Sequence, residues 1–212
     1  MTIASKCVSK ASDEIKEKIC DSLTDKMESK YKFEKINVIE SLERIGDIGI
    51  NTIAKLLRDE NEDVMRSAAK ALGNIKSEKV VQLLIDALKD EDADVRSYAA
   101  CILGEMDSEK AVQPLIDALD DENKDVRQEA AEALGEIQSE KALKPLINAI
   151  KDKNENKEVR SKAANALQRI NNDIAEQLLI ELLNDKNEDE SVRWNAAEVS
   201  EHIVIRKEQS NR

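Results

Sequence analysis

Aromatic side chains are nearly missing from this 212-residue chain: one Trp, two Tyr and one Phe, 2% in all. Proline and glycine are scarce as well, with 2 and 5 residues. Little therefore interrupts helical runs, and the composition is that of an all-α protein. The only histidine is His202, and the three cysteines, Cys7, Cys20 and Cys101, form no Cys-x-x-Cys. That is too few ligands, badly spaced, for a zinc site. Any pairing of the thiols leaves one over, which suits a reducing compartment. No Gly-rich phosphate loop, nucleophile elbow or catalytic triad can be assembled. Met1-Thr2-Ile3-Ala4-Ser5-Lys6 lacks the apolar run of a signal peptide, Thr2 stands where myristoylation needs glycine, and no segment has the length of a membrane span. The expected location is the cytoplasm, and no cofactor or metal is expected.

Positive charge is also in deficit: 33 Lys and Arg stand against 45 Asp and Glu, for a net charge of -12. Binding to nucleic acid regardless of sequence depends on cations displacing counterions from phosphate, so a nucleic-acid partner is disfavoured. An anionic membrane surface is disfavoured for the same reason. A protein or peptide partner remains, with a monomer the expected state.

What the chain does contain is repetition. Asp63-Val64-Met65-Arg66-Ser67-Ala68-Ala69-Lys70-Ala71-Leu72-Gly73 returns as Asp94-Val95-Arg96-Ser97-Tyr98-Ala99-Ala100-Cys101-Ile102-Leu103-Gly104, and again from Asp125 to Gly135. Looser copies start at Glu158 and Ser191. The first Ala of each Ala-Ala pair falls at 68, 99, 130, 163 and 196, giving spacings of 31, 31, 33 and 33 residues. Periods of this size mean stacked repeats, each burying its apolar face only against its neighbours.

Each copy reads as two helices. Val80, Val81, Leu84 and Leu88 form one apolar stripe; Val95, Ala99, Ile102, Leu103 and Met106 form the next. Ser77, Ser108 and Ser139 are predicted caps of first helices, and Asp94 of a second helix. The pattern places first helices near 48–58, 78–89, 109–120, 140–151 and 173–184. Second helices fall near 62–75, 93–106, 124–137, 157–170 and 190–206. Residues 11–45 read as a degenerate N-terminal capping pair, 48–206 as five repeats and 207–212 as a tail, all in one solenoid domain. Pro114 and Pro145, inside first helices, predict kinks, and Leu83 at the matching position predicts a straighter helix. Gly73, Gly104 and Gly135 predict close packing or helix termination.

Val-Arg-x-x-Ala-Ala-x-Ala-Leu-Gly, a polar turn, then Ala-Val-x-Pro-Leu-Ile-x-Ala-Leu-x-Asp resembles the HEAT repeat, in particular the short variety named after phycobilisome lyases. Asp63 to Ala149 matches best, with weaker copies to Ile203. The resemblance implies a right-handed superhelical α-solenoid whose members mostly act as binding scaffolds. It also implies a ladder of charge-assisted bonds between repeats, carried here by Asp90, Arg96, Asp121, Arg127, Arg160 and Arg193. The same arginines could form a row for phosphate or carboxylate, but buried charges are normally paired, which favours the ladder. Met65 replaces Arg in the first copy, and insertions before Arg160 and Arg193 shift the acid, so the ladder is expected to be complete only in the middle. Related hydroxylases need several His-Glu pairs for iron, and this chain has none. A calcium loop at Asp121–Asp125 with Glu132 fails because Val126 stands where such loops turn on glycine.

Function is expected where the copies disagree. These columns lie beside the buried stripe and face outward; by resemblance, second helices line the concave face where partners sit. They supply Arg66, Tyr98, Glu129, Glu132, Lys162, Arg169 and Trp194 as predicted partner contacts, with Tyr98 and Trp194 as aromatic anchors. The expected function is a non-catalytic protein-interaction scaffold. The alternative, resting on the repeat alone, is a chromophore-lyase-like or enzyme-maturation accessory factor.

Overall fold

The computed structural model describes residues 13–24, 27, 29, 31–170, 173–194 and 196, and among them there is no strand. The chain is an all-α solenoid of helix pairs that divides into two compact units, Met1–Ile102 and Leu103–Arg212. In the first unit α1 (Asp13–Thr24) and α2 (Lys32–Ile45) precede α3 (Ile50–Lys55), which ends in a 3-10 turn over Leu56–Arg58. Then come α4 (Glu62–Ile75), α5 (Glu78–Ala87) and α6 (Ala93–Glu105), whose last residues belong to the second unit. That unit continues with α7 (Val112–Ala118), α8 (Lys124–Ile137), α9 (Leu143–Lys151), α10 (Lys157–Ile170) and α11 (Asp173–Asn184). Residues 190–194 are helical too; the rest of the helix predicted for 190–206, apart from 196, lies outside the described residues.

The apolar stripe sits at the core. Val64, Ala68 and Leu72 of α4, Val126, Ala130 and Leu134 of α8, and Val159, Ala163 and Leu167 of α10 are all 0% exposed. Burying each Val or Leu contributes about 1.5–3 kcal/mol relative to leaving it in water. Met106, predicted in this stripe, is only half-buried, because the chain has already turned away at Asp107, where φ is 50°. Lys76 and Gln138 hold the same left-handed conformation at the ends of α4 and α8. The glycines therefore do not terminate these helices. A Cβ on Gly135 would lie 2.6 Å from Cα of Ala166, and one on Gly104 2.7 Å from Cα of Ala133, so their role is backbone approach.

Several predicted boundary residues are corrected. The caps of second helices lie two residues before the predicted Asp94. Asn61 Oδ1 accepts from Asp63 N at 3.1 Å, Asp92 Oδ1 from Asp94 N at 2.9 Å and Asn123 Oδ1 from Asp125 N at 2.7 Å. Asn156 and Asp189 do the same for Glu158 and Ser191. Ser77 caps α5, accepting from Val80 N at 3.4 Å. Ser108 and Ser139 make no capping bond, because 3-10 turns over Glu109–Ala111 and Glu140–Ala142 follow them. Those turns delay the α-helices, so Pro114 and Pro145 become third residues of α7 and α9. A backbone N–H there has no helical acceptor, and a proline forces no kink. With Leu83 in place of proline, α5 is α-helical from Glu78 onward.

Candidate functional site: the second-helix faces

Two sets of polar side chains leave the second helices and their loops, and they have opposite character. One set runs inward and joins repeat to repeat. In the first unit, Lys35 pairs with Asp59, and Arg58 Nε donates to Asp90 Oδ2 at 2.9 Å. Met65 is buried where later copies carry Arg, so Arg58 from the preceding helix supplies the cation instead. Arg96, 6% exposed, donates to the main-chain oxygens of Asp90 at 2.8 Å and Glu91 at 3.1 Å.

In the second unit, Arg127 donates to Asp121 O at 2.7 Å and Glu122 O at 3.1 Å. Its other edge grips both carboxylate oxygens of Glu155, at 2.8 and 2.7 Å, and hydrogen bonding to Glu155 holds the guanidinium pKa above its usual value. Arg160 is 5% exposed and donates to Ile150 O at 2.8 Å and Glu188 Oε2 at 2.6 Å. Lys153 also reaches Glu188. Burial alone would raise the Glu188 pKa; the hydrogen bonds from Arg160 and Lys153 outweigh it and bring the value down to about 2. The Nε of Arg193, the next member of the column, is shut off from solvent with no hydrogen-bond partner among the described residues.

Within a repeat, Asp90 and Arg96, and Asp121 and Arg127, act on each other electrostatically. A spacing of six residues sets Arg96 and Arg127 over the carbonyls of their own loop, while the carboxylates for Arg127 and Arg160 come from the next loop. Asp121 uses its carboxylate to accept from Asn123 N at 2.8 Å. Glu155 and Glu188 were missed, as were Arg58 and Lys153. Each Glu lies 28 residues after its Arg, so a search at fixed spacing would have found both.

The second set faces outward. Arg66 is exposed, 2.6 Å from Glu62 Oε1, and bonding first to Glu62 and then to the Tyr98 side chain holds its pKa above the usual value. Tyr98 is half-buried. On α8 and α10, Glu129 is half-buried, Glu132 pairs with Lys162, and Arg169 Nη1 stands 3.6 Å from Glu136 Oε1. Burial raises the Glu136 pKa, with Glu132 and Glu105 adding to the rise and Arg169 opposing it. Trp194 is 73% exposed.

The structure adds a groove of about 440 Å³ between α2 and α4, lined by Glu40, Glu43, Arg44, Ser67, Lys70, Ala71 and Asn74. Asn74 Nδ2 donates to Glu43 Oε1 at 3.1 Å across 31 residues. Reading residues 31–45 as a degenerate cap hid this groove, although that separation equals the repeat period. Among the described residues no three His, Cys, Asp or Glu side chains cluster as a metal site. No described helix is long and apolar enough to cross a membrane.

Helix pairs at a period of 31 to 33 residues, with an arginine near the start of successive second helices that donates to a main-chain oxygen upstream of it, define a helical-repeat protein. The family model for HEAT repeats matches residues 17–100, 81–156 and 152–208, and the chain belongs to that family. No curated protein matches the chain. Among solved structures, the complex of CpcE and CpcF of phycocyanin lyase from Nostoc sp. PCC7120 is similar at 24% identity. That match covers 71% of this chain and 97% of that one, with a TM-score of 0.63. A designed armadillo repeat protein in complex with the peptide (KR)4 is similar at 22% identity, over 85% of this chain and 97% of that one, with a TM-score of 0.51. An engineered protein matches at 22% identity, over 87% and 98%, with a TM-score of 0.52. At these identities the likeness is one of fold.

Proposed function

We propose that this protein is a non-catalytic scaffold that binds a protein or peptide segment against its second-helix faces. The observation that carries this reading is the separation of the two side-chain sets. Residues that recur are buried in the stripe and the loop-to-loop ladder, whereas residues that change from copy to copy stand outward on the second helices. In the first unit Tyr98 is the anchor: it offers a ring and a hydroxyl at low conformational cost, with Arg66 beside it and the polar groove over Arg44, Lys70 and Asn74. In the second unit Glu105, Glu129, Glu132 and Glu136 outnumber Lys162 and Arg169, which favours a segment carrying Lys or Arg. The (KR)4 peptide seen with one structurally similar protein is of that chemistry. Trp194, 73% exposed, is the second aromatic anchor.

Capture of the partner from the source cell, followed by hydrogen exchange on the complex, tests the reading. Slowed exchange in α4 and around Tyr98 is expected. Slowing confined to the first helices α5 and α9 would overturn it.

A further inference from the structure

The groove between α2 and α4 leaves its charges uncommitted, unlike the faces of α8 and α10. There Glu132 pairs with Lys162, and Arg169 stands 3.6 Å from Glu136. In the groove Glu43 is engaged, accepting from Asn74 Nδ2 at 3.1 Å. Glu40, Arg44 and Lys70 line the same groove and are exposed, yet their side chains form no ion pair or hydrogen bond among the described residues. Glu40 and Arg44 are spaced i, i+4 on α2. The same order and spacing on α4 closes a 2.6 Å bond between Glu62 and Arg66. The groove thus keeps a free carboxylate and a free guanidinium on its α2 wall and a free ammonium on its α4 wall. Its volume of about 440 Å³ lies within the range of about 300–1,000 Å³ usual for ligand sites.

We infer that this groove takes a mixed-charge stretch of the bound segment, an acidic side chain close in sequence to a basic one. The carboxylate goes to Arg44 and Lys70, which approach from opposite walls, and the cation goes to Glu40. A stretch of one sign fits worse on both counts. Acidic residues alone meet Glu40 and Glu43, basic residues alone meet Arg44 and Lys70, and each leaves the opposite set unused. The inference rests on the scaffold reading and adds to it an acidic residue in the segment, which the faces of the second unit do not call for.

The test titrates blocked Gly-Ser peptides into the isotope-labelled full chain, followed by amide NMR signals of Ser67, Lys70 and Asn74. The peptides carry one Asp and one Lys, Asp alone, Lys alone, or neither. The Asp-and-Lys peptide should shift these signals saturably and bind several-fold more tightly than either singly charged one. E40K should turn the preference to Asp alone, and R44E with K70E should turn it to Lys alone, with helicity unchanged. K89E, at an exposed position beyond α5 and outside the groove, should leave the order as in wild type. A singly charged peptide that binds as tightly, a preference that ignores E40K or R44E with K70E, or no saturable shift would each overturn the inference. The captured partner separates this from the scaffold reading. Slowed exchange in α4 and around Tyr98, with affinity untouched by E40K and K70E, sinks the groove assignment alone; slowing confined to α5 and α9 sinks the scaffold reading itself.

Discussion

Glu188 shows how a charged side chain can hold a stack of otherwise apolar helices together. It is 5% exposed, receives Arg160 at 2.6 Å as well as Lys153, and titrates near 2 instead of the ordinary 4.5. A depressed acid contributes stability that is present above its unfolded pKa and lost as the pH falls through the folded one. The contribution of Glu188 is therefore complete above about pH 4.5 and disappears toward pH 2. E188Q keeps the shape but strands Arg160, and should cost about 3 kcal/mol at neutral pH in urea unfolding. The gap between variant and wild type should close as the pH is lowered from 5 to about 2. A gap that persists at the acid end would contradict the ion-pair account. Glu136 is shifted the other way, by burial and then by Glu132 and Glu105, against Arg169. R169A removes the opposing positive charge, so a carboxyl-detected NMR titration should find Glu136 higher still; an unchanged or lower value would assign the shift elsewhere.

At the scale of the element, helix approach depends on Gly135 and the Ala residues facing it. Alanine ordinarily favours a helix over glycine by about 1 kcal/mol. Here the added methyl would lie 2.6 Å from Cα of Ala166, on rigid backbone. G135A should therefore destabilise the protein by about 1–3 kcal/mol in thermal or urea unfolding, against its propensity. A stabilised G135A would show that α8 and α10 can separate at little cost. The helices themselves were legible in the sequence. The spans of α4, α8, α10 and α11 coincide with those read from apolar spacing, because burial of Val, Ala and Leu fixes helix phase locally. The caps were not, because Asp90, Asp92 and Asp94 alternate and each can accept from the residue two ahead; only the fold decides which one starts the helix. The prolines were misjudged for a related reason: 3-10 turns moved the start of α7 and α9. Glu155 and Glu188 were hidden because their partners lie in another repeat, a separation that helical periodicity does not report.

For the whole molecule, family membership accounts for repetition, and repetition accounts for stability, but neither says what is bound. Of the outward residues named from sequence, the structure brings Arg66 together with Tyr98 and Glu132 together with Lys162. These pairs bridge successive second helices, so a partner meets a surface already ordered by its own side chains and pays less to organise it. The separation of recurring scaffold residues from varying surface residues is the central claim. Calorimetric titration of the captured partner segment into wild type, Y98A and E188Q tests it most directly. The account predicts that Y98A loses roughly tenfold or more in affinity, on the order of 1.4 kcal/mol or above, with its melting temperature unchanged. E188Q should melt earlier yet bind like wild type at a temperature where it is folded. Wild-type affinity in Y98A would contradict the account.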